Sequence, residues 1–320
     1  MVGEGSFGKV TILMIYIYIC KRHYAMKIMR KDVIIEADDI MCAMLERDIL
    51  AMGKDCKFLT CLATSFQTTH YLIYVMEFLS GGDLMFHFEK CGRFTYKTVK
   101  FYGAQIYIAL SYLHNNDIMY RDLKMDNILM TMEGNLKLAD FGMCRKLIGA
   151  EQAYTFCGTP GSMAPEIIMN KPYTYTVDWW SYGVLIYEMY TGLSCFEGDE
   201  EEEIFSSVVN SNIFYPKKME LDLKQFIESI LVRNVEQRID NCSLKGEKIS
   251  TFTFYDNIEW EAMTNLLVTS PFVPTNNKLA QNFDNQFTQK PAKISTYRSS
   301  VLNLVPKNYF EEFDLTIEAI

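Results

Sequence analysis

The stretch MYRDLKMDNILM, residues 119–130, decides how this chain is read. It sets Arg121, Asp122, Lys124, Asp126 and Asn127 between apolar residues, and Ile128 to Met130 then run on as a strand. Charge does not enter the edge of a core uncompensated, because a buried ion without a partner is expensive. An acid, an ammonium and an amide gathered on a loop leading into a strand have the makings of a reaction site. Asp122 can orient a hydroxyl and accept its proton, and Asn127 can ligate a metal ion. Further on, Asp140-Phe141-Gly142 follows the strand Leu136 to Ala139, where a carboxylate suits Mg²⁺.

Upstream the chain opens with GEGSFGKV, whose Gly3, Gly5 and Gly8 let backbone N–H groups approach phosphates. No helix opens directly after it, so the dinucleotide-binding context is absent. HYAMKIM, residues 23–29, alternates as a strand, with Ala25 and Lys27 on one face and Tyr24, Met26 and Ile28 on the other. A helix is expected from about Glu36 to Met52, with an apolar stripe of Met41, Met44, Leu45 and Ile49 flanked by Glu46. A buried lysine needs an anion, and a Lys27–Glu46 pair can hold the ammonium toward a nucleotide phosphate.

THYLIYVMEF reads as a further strand, and SGGD, residues 80–83, as a break between two lobes. Beyond it the chain turns helical. Residues 98–113 carry apolar side chains at helical spacing, NILMTMEGNLKLA reads as a hairpin turning near Glu133 and Gly134, and VDWWSYGVLIYEMYTG reads as a buried helix stopping at Gly192. From about Phe272 the periodicity fades into an extended tail with aromatic anchors in NFDNQFTQKPAKIST and NYFEEFDLT.

Bulk properties agree with a folded protein. The 320 residues are 49% hydrophobic and 22% charged, which excludes a disordered composition. A net charge of −9 argues against a nucleic-acid backbone as the main partner and leaves room for a basic peptide. Nine cysteines without a CxxC pair, and four scattered histidines, suggest reduced thiols in a cytoplasmic protein rather than a zinc site. The longest apolar run, ILMIYIYIC, is too short to span a bilayer.

Glycine loop, strand lysine, helix glutamate, D-L-K-x-D-N, D-F-G and A-P-E (Ala164, Pro165, Glu166) stand in the order and spacing of the protein-kinase signature. The sequence resembles eukaryotic protein kinases. YRDLKMDN, TFCGTP, VDWWSYGVLIYEM and FYGAQIYIALSYLH resemble the serine/threonine group that includes protein kinase C. RKDVIIEADDI with the tail NFDNQFT and FEEFDL is most similar to its novel, calcium-independent subclass.

The resemblance implies an α+β, two-lobed protein-kinase fold. It implies a catalytic domain over residues 1–271, with N-lobe 1–79 and C-lobe 80–271, and a C-terminal tail over 272–320. It also implies ATP and Mg²⁺. Gly3, Gly5, Ser6, Phe7 and Gly8 would cover the phosphates; Val10, Ala25 and Leu129 would sandwich adenine; the backbone of the hinge around Glu77 would bind its edge. Lys27, held by Glu46, would grip the phosphates, Asp140 and Asn127 the metal, while Asp122 and Lys124 would serve the substrate hydroxyl and the transferred phosphate. Asp83, Asp126 and Glu188 fall where relatives keep acids for substrate arginines, which implies serine or threonine acceptors in basic segments. Thr155 matches an activating phosphosite served by an upstream kinase and facing Arg121, and Ser295 a tail phosphosite. In FEEFDL, Asp314 stands at the place of a phosphorylatable residue, with Phe310 and Phe313 docking on the N-lobe.

Departures are visible too. The chain begins inside the glycine loop, so the expected domain is N-terminally truncated. Gly161 and Ser162 stand where relatives have an acid and a tyrosine, and Cys195 where they have proline. Nothing resembles their lipid-binding zinc or calcium modules, so membrane association would need other regions or partners. A scaffold that keeps the fold without useful turnover is the alternative, and a different ATP-dependent enzyme the remoter one.

Overall fold

The structure, a computed structural model, describes residues 3–5, 10–17, 22–275, 281–283 and 309–317, with side chains from residue 23 onward. Ser6, Phe7, Gly8 and Ser295 lie outside the described residues, as does the side chain of Val10.

An antiparallel sheet carries the first lobe. Its strands are β1 (Gly3–Gly5), β2 (Val10–Ile17), β3 (Arg22–Arg30), β4 (Leu62–Gln67), β5 (Tyr71–Glu77) and, from the other end of the chain, β10 (Leu315–Thr316). Their order is β1-β2-β3-β5-β4-β10. β1 makes one edge, pairing Gly5 with Val10. In β3, Lys27 lies opposite Tyr74 of β5, and the alternation sends Ile28 to the other face. There Ile28 joins Ile73 and Val75 in a small apolar cluster against which Tyr24 and Met26 pack.

The helix expected over Glu36 to Met52 is α2 (Ile40–Met52), which starts later than expected, and a separate short helix, α1 (Lys31–Glu36), precedes it. Asp38, with φ +57, takes the left-handed conformation that ends α1. Of the expected stripe, Ile49 is fully buried and Met44 and Leu45 pack half-buried on the core, while Met41 is 78% exposed; Ala43, Glu46 and Leu50 complete the buried face. Apolar residues surround most of α2, and periodicity alone does not fix its phase. Contact with the sheet does: Tyr74 donates its hydroxyl to the Ala43 carbonyl at 2.8 Å.

The helical lobe follows, with α3 (Leu84–Cys91) and α4 (Tyr96–Asn115). The latter outruns the expected 98–113 at both ends; at its start the Thr95 hydroxyl caps it, accepting from the Thr98 amide at 3.3 Å. Short strands β6 (Ile118–Met119), β7 (Ile128–Met130), β8 (Leu136–Leu138) and β9 (Arg145–Lys146) pair as β6–β9 and β7–β8. After α5 (Pro165–Ile168) comes α6 (Thr176–Thr191), buried around Trp179 and Trp180. It stops at Gly192, φ +75, as expected; a Cβ there would lie 2.5 Å from the Gly92 carbonyl oxygen. α7 (Glu201–Asn210), α8 (Leu221–Ile230), α9 (Val235–Cys242) and α10 (Trp260–Thr264) complete the lobe. No helix of the described residues is long and apolar enough to cross a membrane.

The tail returns to both lobes' junction and to the sheet. Phe283 stacks on Phe78 with centroids 5.7 Å apart, and the Asn282 amide donates to the Ser80 carbonyl at 3.0 Å. Phe310 and Phe313 belong to the main hydrophobic core. The Ser65 hydroxyl donates to the Phe313 carbonyl and the Gln67 amide to that of Phe310, each at 2.6 Å.

Candidate active site

Between the lobes, Lys27 Nζ lies 2.5 Å from Glu46 Oε1 and 2.9 Å from Asp140 Oδ1. β3 aims the lysine inward, α2 brings the glutamate, and the residues after β8 bring the aspartate. Burial works against the Lys27 charge, but the two carboxylates outweigh it and lift its pKa above the ordinary lysine value. Lys27 in turn holds the Asp140 carboxyl below its usual range against the effect of burial. Burial pushes Glu46 up, opposed by Lys27. Asp140 is therefore an ionised carboxylate, and 30% of its side chain is exposed. Its φ of +50 is a left-handed, strained setting of the kind found at functional loops.

The loop 120–127 forms the second half of the site. Asp122 Oδ2 accepts from Asn127 Nδ2 at 2.8 Å and lies 3.0 Å from Lys124 Nζ. Asp122 Oδ1 accepts from the Thr159 hydroxyl at 2.7 Å, and Lys124 donates to that same hydroxyl at 2.9 Å. Asn127 reaches Asp140 through the backbone, since the Ala139 amide donates to the Asn127 carbonyl at 2.9 Å. Arg121 at φ +70 is a second left-handed residue. Asp178 of α6 holds it there, accepting from the amides of Tyr120 at 2.8 Å and Arg121 at 2.7 Å.

Thr159 and Asp178 were given no role by the sequence reading. TFCGTP and VDWWSYG were visible as motifs, but a threonine hydroxyl and an aspartate within an apolar helix do not announce their partners. An aspartate in a helix this apolar was the available signal, since such a group needs donors.

The remaining residues divide. Ala25 lies in β3 opposite Met76, and Leu129 in β7 is bridged to Asp83. Glu77 ends β5, its carboxylate turned to the Cys61 amide and Lys137. Asp83 caps α3, accepting from the Phe86 amide at 2.7 Å; burial raises its pKa to about 6, with Asp126 adding to the rise. Asp83 and Asp126 are thus electrostatic neighbours. Glu188, near the end of α6, is pushed by burial to about 7, opposed by the Cys195 amide that donates to it at 3.3 Å. Thr155 is exposed. The Tyr173 hydroxyl donates to the Thr155 carbonyl at 2.7 Å and lies 3.1 Å from Arg121 Nη1.

Mg²⁺ takes hard oxygen donors. Asp140 offers an ionised carboxylate, and Asn127 uses its Nδ2, not its amide oxygen, on Asp122. The donor set fits the ion.

The model of the protein kinase domain matches residues 1–248. The chain is 39% identical to protein kinase C-like 1 of Caenorhabditis elegans over 99% of its own length and 45% of that protein. It is 39% identical to the delta type of protein kinase C from Rattus norvegicus over 98% of itself and 46% of the relative. It is 38% identical to the eta type from Mus musculus, again over 98% and 46%. The chain spans about half the length of these curated relatives. A two-lobed fold and a matching domain model over most of the length place the chain in the protein kinase family. Within it, this is a serine/threonine kinase domain of the protein kinase C kind, a class that takes ATP as phosphate donor.

Proposed function

We propose that the chain transfers the γ-phosphate of Mg·ATP to serine and threonine hydroxyls in arginine- or lysine-flanked protein segments. The observation that carries this is the Asp122 carboxylate, held on one oxygen by Thr159 and on the other by Asn127, with Lys124 beside it. Such restraint keeps a proton acceptor aimed, and phosphoryl transfer asks mainly for positioning and charge neutralisation. Asp122 orients the acceptor hydroxyl and takes its proton. Lys124 steadies the phosphate as it moves, and Lys27, fixed by Glu46, holds the donor's phosphates. Bound to Asp140 and Asn127, Mg²⁺ supplies charge neutralisation on those phosphates.

Asp83, Asp126 and Glu188 are the acids for substrate arginines. Residues 1–271 serve as the catalytic domain, N-lobe to residue 79, and 272–320 as a tail that braces it. Phosphorylation of Thr155 by an upstream kinase would bring a dianion toward Arg121 and order the segment. A cytoplasmic location accords with the eight described cysteines, which are free thiols.

The test is transfer of labelled γ-phosphate from Mg·ATP to an arginine-rich serine peptide, with Asp122→Asn alongside. The parent should label the peptide, and the variant should lose roughly 100-fold or more, the scale of general-base catalysis. No transfer by folded, Thr155-phosphorylated protein would leave a scaffold.

A further inference from the structure

One carboxylate oxygen joins three segments where the lobes meet. Glu77 Oε1 accepts from Lys137 Nζ at 2.6 Å and from the Cys61 amide at 2.8 Å. Cys61 leads into β4, Glu77 ends β5, and Lys137 is the middle residue of β8 in the other lobe. The ion pair is largely enclosed, with the side chains 14% and 17% exposed. Main-chain bonds run beside it: Thr60 donates to the Leu138 carbonyl at 2.9 Å, and Leu138 to that of Phe58 at 2.8 Å. β8 thus bonds to β7 on one edge and to the segment entering the sheet lobe on the other. Shortly beyond it comes Asp140, with its carboxylate on Lys27.

We infer that Glu77 and Lys137 are positioning residues for the nucleotide, fixing the strand that leads to Asp140 against the interlobe connection. The inference rests on the reading that this connection binds adenine while Asp140 serves the phosphate end. The two groups then act on opposite ends of one ligand, and their spacing must match its length within a fraction of an ångström. Main-chain bonds at 58–60 hold β8 to the segment before β4. Only the Lys137 ammonium, among the described bonds, ties β8 to the end of β5 itself. An exposed pair would contribute little. This one is mostly enclosed and shares its acceptor with a backbone amide, so losing one partner strands the other. The adenine edge would be held alike in ground and transition states, and Asp140 keeps its own ion pair with Lys27 when the Glu77–Lys137 pair is lost. Loss of the pair therefore weakens nucleotide binding and leaves the chemical step nearly intact.

The experiment uses the whole chain and the β,γ-imido analogue of ATP with Mg²⁺, its Kd measured by calorimetry, beside KM for ATP and kcat. Lys137→Met and Glu77→Gln should each raise Kd and KM about tenfold, near 1.4 kcal/mol by the affinity relation, with kcat within about twofold. The glutamine keeps the shape and can still accept from the Cys61 amide, so it removes the charge pair with least harm to the fold. Lys137→Arg should restore most of the affinity, and the exchanged pair Glu77→Lys with Lys137→Glu part of it. Unchanged Kd in both single variants, or a fall in kcat with Kd intact, overturns the inference. A melting temperature that falls while Kd stays put also overturns it, by making the pair merely structural. Failure of the parent to bind the analogue would sink the kinase reading itself, and this inference with it.

Discussion

Lys27 and Phe313 are both neighbours of Tyr74, one its partner in the sheet register and the other with its ring centroid 5.2 Å away. Each is buried by residues remote in sequence, yet by opposite means. Lys27 carries a charge into the interior and is held by Glu46 and Asp140. Phe313, at 0% exposure, brings a ring and a short strand that lengthens the sheet through β4. Charges buried in the cleft cost stability that only chemistry can justify, whereas a buried ring stabilises outright. Activity and stability should therefore separate between the two places.

The largest effect is expected in the cleft. Lys27→Met keeps the length and removes the charge. Phosphate transfer should fall by about 100-fold or more, the scale of losing one preorganised electrostatic group. The melting temperature should move less, because Glu46, already pushed up by burial, can take a proton instead of standing unpaired. Transfer assays and thermal melts on the same preparation check both halves. A variant that keeps its activity would break the comparison.

Phe313→Ala should show the reverse. Deleting a fully buried phenylalanine costs about 3–5 kcal/mol, read as a lower denaturant midpoint. Well below its melting point the variant should keep most of its kcat, since Phe313 is bonded to Ser65 in β4 rather than to the catalytic loop. If kcat falls as steeply as stability, the tail controls the cleft directly.

How much of this could be read beforehand follows from where partners lie. Asp122, Lys124 and Asn127 are legible because six consecutive positions hold them all, and loop-to-strand geometry leaves them no other place. Lys27 with Glu46 was legible as a charge on a strand that needed an anion. Asp140 was expected at the metal but not as the second anion on Lys27, a contact that spans 113 residues. Thr159 closes on Asp122 from 37 residues away, and nothing local marks that threonine among others. Met41 failed for another reason: α2 is apolar almost all round, so its phase is set by Tyr74, outside the helix. The tail's aromatic anchors were readable, while the edge pairing of Leu315 with Ser65 was not, since backbone bonds carry no side-chain signature.

A smaller effect should appear with pH. On the proposed reading, substrate guanidinium groups would bind the ionised forms of Glu188 and Asp83, whose carboxyls burial has raised to about 7 and about 6. Protonation removes the attraction, so KM for an arginine-flanked peptide should rise as pH falls from 8 through 7, and again towards 6. A peptide without arginine should show neither limb, and Glu188→Gln should remove the upper one. An arginine peptide with flat KM across this range would show that these acids do not meet the substrate.

The smallest effect concerns Asp314, which follows the buried Phe313 but is itself exposed. Lys31 lies nearby, its Nζ 2.6 Å from Gln67 Oε1 and 5.0 Å from the Phe310 ring centroid. Burial lowers the Lys31 pKa and Asp314 acts to raise it, so the aspartate favours the charged lysine at the dock. A phosphate at this place would act in the same sense with more charge. Asp314→Ala should therefore weaken the dock, but by much less than Phe313→Ala, because solvent screens an exposed carboxylate. The melting temperature should drop by a small, salt-sensitive amount, and Asp314→Glu should recover it. Stability and activity that stay unchanged at low salt would remove Asp314 as a stand-in for phosphate and leave the dock to its two rings and its strand.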